Sequence, residues 1–114
     1  MQYVINDYTH GICPKGWHIP HYLEKWNTII ELFGGPAIAG GPLKEAGTTH
    51  WQPPNTGATN VSGFTALPNG HREYYNGYFI WIGTFGHFWT TMSGATTTAL
   101  GYGLFHDQTI VSQF

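Results

Sequence analysis

Between Pro36 and Pro68 the sequence carries neither the 3.6-residue spacing of an amphipathic helix nor the two-residue alternation of a strand. Gly, Pro, Thr and Asn fill it instead, with Leu43, Trp51, Phe64 and Leu67 as scattered apolar anchors. A disordered segment has few aromatics, whereas a packed loop needs a few large side chains to hold it against a core. The span therefore predicts a long structured loop region, an uncommon feature in a compact domain. The flanking segments must supply the regular scaffold.

On the N-terminal side, Tyr3-Val4-Ile5 reads as a short strand that Asn6-Asp7 and Gly11 interrupt. From His21 to Phe33, Leu23, Trp26, Ile29, Ile30 and Phe33 recur at helical spacing among Glu24, Lys25, Asn27 and Glu31, and Gly34-Gly35 supplies a stop. This predicts one main N-terminal helix. On the C-terminal side, Asn76-Gly77 predicts a two-residue hairpin turn between Arg72–Tyr75 and Tyr78–Ile82. Further strands are expected at Phe85–Thr91, Ala99–Phe105 and Thr109–Phe114. In Leu100-Gly101-Tyr102-Gly103-Leu104 large residues alternate with glycine, so one face of that strand packs side chains and the other admits a neighbouring ring or backbone. The pieces make an α+β fold with a small twisted antiparallel sheet. At 114 residues, the chain is expected to form one domain over 1–114, long enough to bury roughly two thirds of its unfolded surface.

Charge narrows the function. Only 9% of residues are charged and the formal net charge is −2, spread without a basic run, so the electrostatic drive for nucleic-acid binding is missing. No apolar stretch reaches the roughly eighteen residues of a membrane span, so no membrane insertion is expected. A single cysteine, Cys13, permits no disulfide within the chain.

Catalytic patterns are equally sparse. No Ser stands in a nucleophile elbow, no helix presents paired carboxylates, and Cys13, followed by proline in a tight corner, reads as structural. His18 and His21 have a metal-ligand spacing, but His50, His71, His87 and His106 are candidates for the third and fourth ligands by their presence alone, so a metal site stays unknown. Calcium needs clustered oxygen ligands, and the acids here are isolated in sequence, with Glu73, Asp107 and the Asn side chains left to converge in space. The expectation is no cofactor, with calcium as the alternative. Asn60-Val61-Ser62 matches a glycosylation acceptor, a pattern with meaning only in a chain that passes through a glycosylating secretory pathway.

Aromatics make up 17% of the chain, and most must form the core of a domain with few long aliphatic residues. Trp51, His71, Tyr74 and His87 lie in loops or beside polar residues, and Trp89 and Thr90 lie toward a strand end; these six are the candidate ligand-binding residues. Flat rings provide stacking area and neighbouring hydroxyls and amides provide direction, a combination that suits a sugar or a protein surface.

Three strings carry a family resemblance: Gly11-Ile12-Cys13-Pro14-Lys15-Gly16-Trp17-His18-Ile19-Pro20, Leu43-Lys44-Glu45-Ala46-Gly47-Thr48-Thr49-His50-Trp51, and the run from Asn55-Thr56-Gly57-Ala58-Thr59-Asn60 through Leu67-Pro68-Asn69-Gly70. In this order they resemble the Fibrobacter succinogenes major paralogous domain family, bacterial surface and secreted modules with a C-type-lectin-like fold. The resemblance runs from about Tyr8 to Phe114. It implies a non-enzymatic binding module, extracellular or on the cell surface, whose export signal is not in this chain and whose ligand is carbohydrate or a protein surface.

It also implies structural roles for Cys13, Trp17, His18 and Pro20. Trp17 would fill the junction between the first loop and the helix, and Cys13 would be one half of a disulfide. In the family the pattern continues into a last strand with a second cysteine, so the domain is expected to be truncated at Phe114. The chain departs from the family at His21-Tyr22-Leu23, where a Ser or Thr and an acid usually lead into the helix. A sheet without its last strand has an open edge, which makes an assembly subunit completed by another chain the alternative function. A metal-dependent protein or enzyme on the same scaffold is the weaker one.

Overall fold

A computed structural model describes residues 13–91 and 100–114. The expected opening strand at Tyr3–Ile5 and the expected strand start at Ala99 lie outside the described residues. The fold is α+β, with few helices and two small antiparallel sheets. A π-helical turn, Tyr22–Trp26, runs directly into α1, Asn27–Leu32, and α2 spans Gly40–Leu43. Strands β1 (His71–Arg72) and β2 (Phe79–Ile80) pair with each other, while β3 (Phe85–Trp89), β4 (Gly101–Phe105) and β5 (Val111–Gln113) form the larger sheet in that order.

The helix forms where its apolar spacing places it, but its first turn is wider than an α-helix. The carbonyl of His21 accepts from both Lys25 N–H at 2.9 Å and Trp26 N–H at 3.3 Å. Its end follows the glycines: Gly35 N–H donates to Ile30 and Gly34 N–H to Glu31, the paired bonds of a Schellman stop, with Gly34 at φ +103°. Trp26 and Ile30 are buried, with Ile29 and Phe33 packed against them. Among the described residues no helix is long and apolar enough to cross a membrane.

One face of the larger sheet packs on this helix. Phe88 and Tyr102 are cross-strand partners, and Trp26 covers both, stacking on Tyr102 with centroids 5.2 Å apart and meeting Phe88 at 5.7 Å. Tyr102 Oη donates to Asn27 Oδ1 at 2.8 Å, tying α1 to β4. Leu104, Val111, Leu43 and Ala39 extend the core, so the helix, the sheet and the long loop share one apolar centre.

The Pro36–Pro68 region is a structured loop with α2 as its only helix, a turn too short and glycine-rich for sequence spacing to reveal. Lys44 bridges to Ala66 across it, and Lys44 is itself buried. Its Nζ donates to the carbonyls of Thr56, Phe105 and Gln108 at 2.8 to 3.0 Å. An ammonium has three N–H groups, and here each meets a carbonyl. The Asn60 amide is a turn clamp, donating to Thr65 Oγ1 and accepting from Thr65 N–H, both at 2.8 Å.

Two expectations need correction. The hairpin β1–β2 forms, but its loop is Tyr74–Gly77 rather than Asn76-Gly77 alone. The register pairs Arg72 with Phe79, and the bond from Glu73 N–H to Tyr78 continues it. Gly77 N–H then closes a wider turn on the Glu73 carbonyl, and Gly77 takes positive φ while Asn76 does not, so the two-residue turn geometry is not adopted. Trp17 does not fill the junction at the helix start: it stands 70% exposed after the Pro14–Trp17 turn. Pro20 is half-buried and lines a small hollow with Lys25, Trp26, Ile29 and Phe64, while His18 is exposed. The Cys13 thiol is half-buried and free.

Candidate functional site

The second face of the larger sheet is built from rings. Strand alternation puts Phe85, His87 and Trp89 of β3 on the side away from α1, and their partners on β4 are Phe105, Gly103 and Gly101. The glycines let neighbouring rings lie against the strand. A side chain at Gly101 would collide with the His87 imidazole, and one at Gly103 with the Phe85 and Phe114 rings. Phe85 meets Phe105 at 5.0 Å and Phe114 at 5.6 Å, and His87 meets Trp89 at 5.0 Å.

The small hairpin is fixed beside this face by Asn69-Gly70. Asn69 Oδ1 accepts from His87 N–H at 2.8 Å and its Nδ2 donates to the His87 carbonyl at 3.2 Å, so one side chain serves as a strand partner for β3. Gly70 N–H donates to the Phe85 carbonyl at 2.7 Å. His71 is thereby set next to His87, with ring centroids 6.3 Å apart, and its Nε2 lies 3.1 Å from Glu73 Oε1. The carboxylate accepts, so Nε2 carries the proton.

A cleft of about 560 Å³ opens between hairpin and sheet. Of the six candidates, His71, Tyr74, His87 and Trp89 line it, together with Asn69, Gly70, Arg72, Glu73 and Phe79. Tyr74 is 97% exposed and Trp89 59% exposed. Arg72 is held in place, its Nε donating to the Gly77 carbonyl at 3.1 Å and its guanidinium lying 5.9 Å from the Phe79 ring centroid. His87 is half-buried. Burial first, and the facing His71 second, hold its pKa below the ordinary 6.5, and its Nε2 has no hydrogen-bond partner among the described residues.

The other two candidates are structural. Trp51 is 1% exposed, donates from Nε1 to the Ala66 carbonyl at 2.9 Å and lies under the Lys44 ammonium, 5.4 Å from ring centroid to Nζ. Thr90 follows Trp89 directly in extended chain, so alternation turns it to the opposite side; it is buried and donates from Oγ1 to the Leu100 carbonyl at 2.9 Å.

The sequence reading missed Asn69, Arg72, Glu73 and Phe79. Asn69 was legible as a turn residue and Arg72, Glu73 and Phe79 as hairpin residues, but nothing local says that the hairpin folds onto β3. Among the described residues no group of three or more His, Cys, Asp or Glu side chains is placed to hold an ion. Glu73 pairs with His71, whereas Asp107 lies in the turn after β4, where its charge acts on Lys44.

The sequence model of the Fibrobacter succinogenes major domain matches residues 1–111. The chain belongs to that family. No curated protein and no solved structure matches it. In this member of the Fibrobacter succinogenes major domain family, the family strings Leu43–Trp51 and Asn55–Gly70 build the buried Lys44 clamp and the Asn69 anchor, so they secure the frame of the cleft. The exposed rings that line the cleft, Tyr74, Phe79 and Trp89, come from the hairpin and β3, outside those strings.

Proposed function

We propose that this domain is a non-enzymatic binding module on a C-type-lectin-like scaffold, displayed on the cell surface or in a secreted protein, and that the cleft between hairpin and sheet takes carbohydrate. The observation that carries the reading is the mixture of exposed rings and anchored polar groups. Tyr74, Phe79 and Trp89 offer apolar ring faces to the C–H face of a pyranose, while Arg72, Glu73 and His71 offer donors and an acceptor for its hydroxyls. Arg72 and Glu73 already have partners that hold their position, so little side-chain entropy is lost when a ligand arrives.

Catalysis has less support. Glycoside hydrolysis uses two carboxylates across the scissile bond, and Glu73 is the one carboxylate among the cleft-lining residues. A glycan and polysaccharide array with the purified chain tests the reading, with near-UV circular dichroism of the same sample to show that its aromatics are fixed. A defined glycan hit supports it. A blank from folded protein overturns it in favour of a protein ligand.

A second reading, an assembly subunit, rests on the edge of β5. Gly101 and Phe114 exchange both backbone hydrogen bonds, so alternation turns the N–H and C=O of Gln113 away from β4. Val111 N–H on the same edge is taken by the Pro36 carbonyl, at 2.7 Å. Strand addition by another chain would use Gln113, and a concentration-independent monomer in sedimentation velocity would dismiss it.

A further inference from the structure

Next to the cleft on the same ring-built face lies a smaller hollow of about 170 Å³, lined by Trp81, Thr84, Phe85, Phe105 and His106. Ring contacts link the lining of the hollow to that of the cleft: Trp81 meets His71 at 4.9 Å and Phe85 at 5.7 Å, and His71 meets Phe85 at 5.9 Å. We propose that this hollow is a second sugar subsite and that the ligand is an oligosaccharide chain running across both, rather than a single terminal sugar. The inference rests on the carbohydrate reading of the main cleft.

Three observations point the same way. Trp81 has φ +65°, a left-handed backbone that is unfavourable for a bulky residue, and yet the residue is 55% exposed. The ring packs edge-on against His71 and Phe85 and leaves more than half of the residue's surface open, so the strained position holds a ring at the surface. The turn beneath it is tightly bonded, with the Trp81 carbonyl accepting from Thr84 N–H, Thr84 Oγ1 and Phe85 N–H, each at 3.1 Å. Finally, His106 has a fixed tautomer. Its Nδ1 donates to the Pro53 carbonyl at 3.0 Å, which leaves Nε2 as an acceptor of the kind a sugar hydroxyl seeks.

The occupant follows from continuity with the cleft and from charge. The residues lining the hollow include no Asp, Glu, Lys or Arg, so a neutral, hydroxyl-bearing unit fits and a charged peptide side chain does not.

The test is a length series: β-1,4-linked gluco-, xylo- and manno-oligosaccharides of one to six units, titrated calorimetrically against the wild-type chain and Trp81→Gly. Glycine adopts φ +65° freely, so this variant removes the ring while relieving the backbone, and near-UV circular dichroism confirms that it is folded. In the series that binds, affinity should rise at least tenfold between one unit and four. Trp81→Gly should abolish that rise and leave single-unit affinity within about twofold. Equal affinity for one unit and six, or a rise that survives in Trp81→Gly, overturns the second subsite while the cleft reading stands. No binding of any length in any series overturns both.

Discussion

The Lys44 ammonium donates to the Phe105 carbonyl at 2.8 Å across 61 residues of chain, and through Thr56 and Gln108 it also holds the central loop and the β4–β5 turn. This one side chain connects the loop that lacks regular structure to the sheet that carries the cleft.

Replacing Lys44 by Met should therefore cost about 3–5 kcal/mol at pH 7, because three backbone carbonyls lose their shared donor together. The loss should appear as a lower urea midpoint. The pH dependence has a definite sign. Burial lowers the Lys44 pKa from 10.5 to about 8, with Asp107 opposing the shift, so between these values the unfolded chain binds more protons than the folded one. Stability then rises with pH over that window, and the gap between wild type and Lys44→Met should widen from pH 8 to 10.5. A constant gap would remove Lys44 as the titrating group.

His87 gives the opposite end of the pH scale. Its folded pKa lies below the ordinary 6.5, so the stability associated with its neutral ring is present above 6.5 and is lost as pH falls below that value. His87→Phe keeps a ring over Gly101 and cannot protonate. Urea unfolding at pH 7.5 and pH 5 should show a smaller acid loss for this variant than for wild type.

Gly101→Ala should drive its new methyl group into the His87 ring. Overpacking of this kind costs about 1–3 kcal/mol, and it should displace a wall of the cleft as well. Thermal unfolding and glycan binding should weaken together in this variant.

The two tryptophans nominated from sequence should separate cleanly. Trp89→Ala, like Tyr74→Ala, removes an exposed ring, so stability should stay within about 0.5 kcal/mol while glycan affinity falls about tenfold. Trp51→Ala removes a buried one and should cost about 3–5 kcal/mol. Calorimetric titration and melting curves on the same preparations distinguish these outcomes.

The sequence by itself determined the local elements and the family. Apolar spacing located the helix that Trp26 and Ile30 anchor, glycine alternation marked β4 as a strand with one ring-bearing face and one open to neighbours, and the Asn76-Gly77 signal located a hairpin. Three strings were enough for family membership, which the match over residues 1–111 shows. Each is a short-range property, written in the order of neighbouring residues. What the tertiary structure alone decided is which rings face water. Trp51 and Trp89 are the same residue type in similarly polar stretches, but one is closed over by Lys44 and Ala66 and the other stands at the sheet surface. Trp89 and Thr90 are adjacent, and the strand's two-residue period sends them to opposite sides. The cleft exists because Asn69 clamps the hairpin to His87 across 18 residues, a pairing set by packing and hydrogen-bond satisfaction over a distance no local spacing encodes.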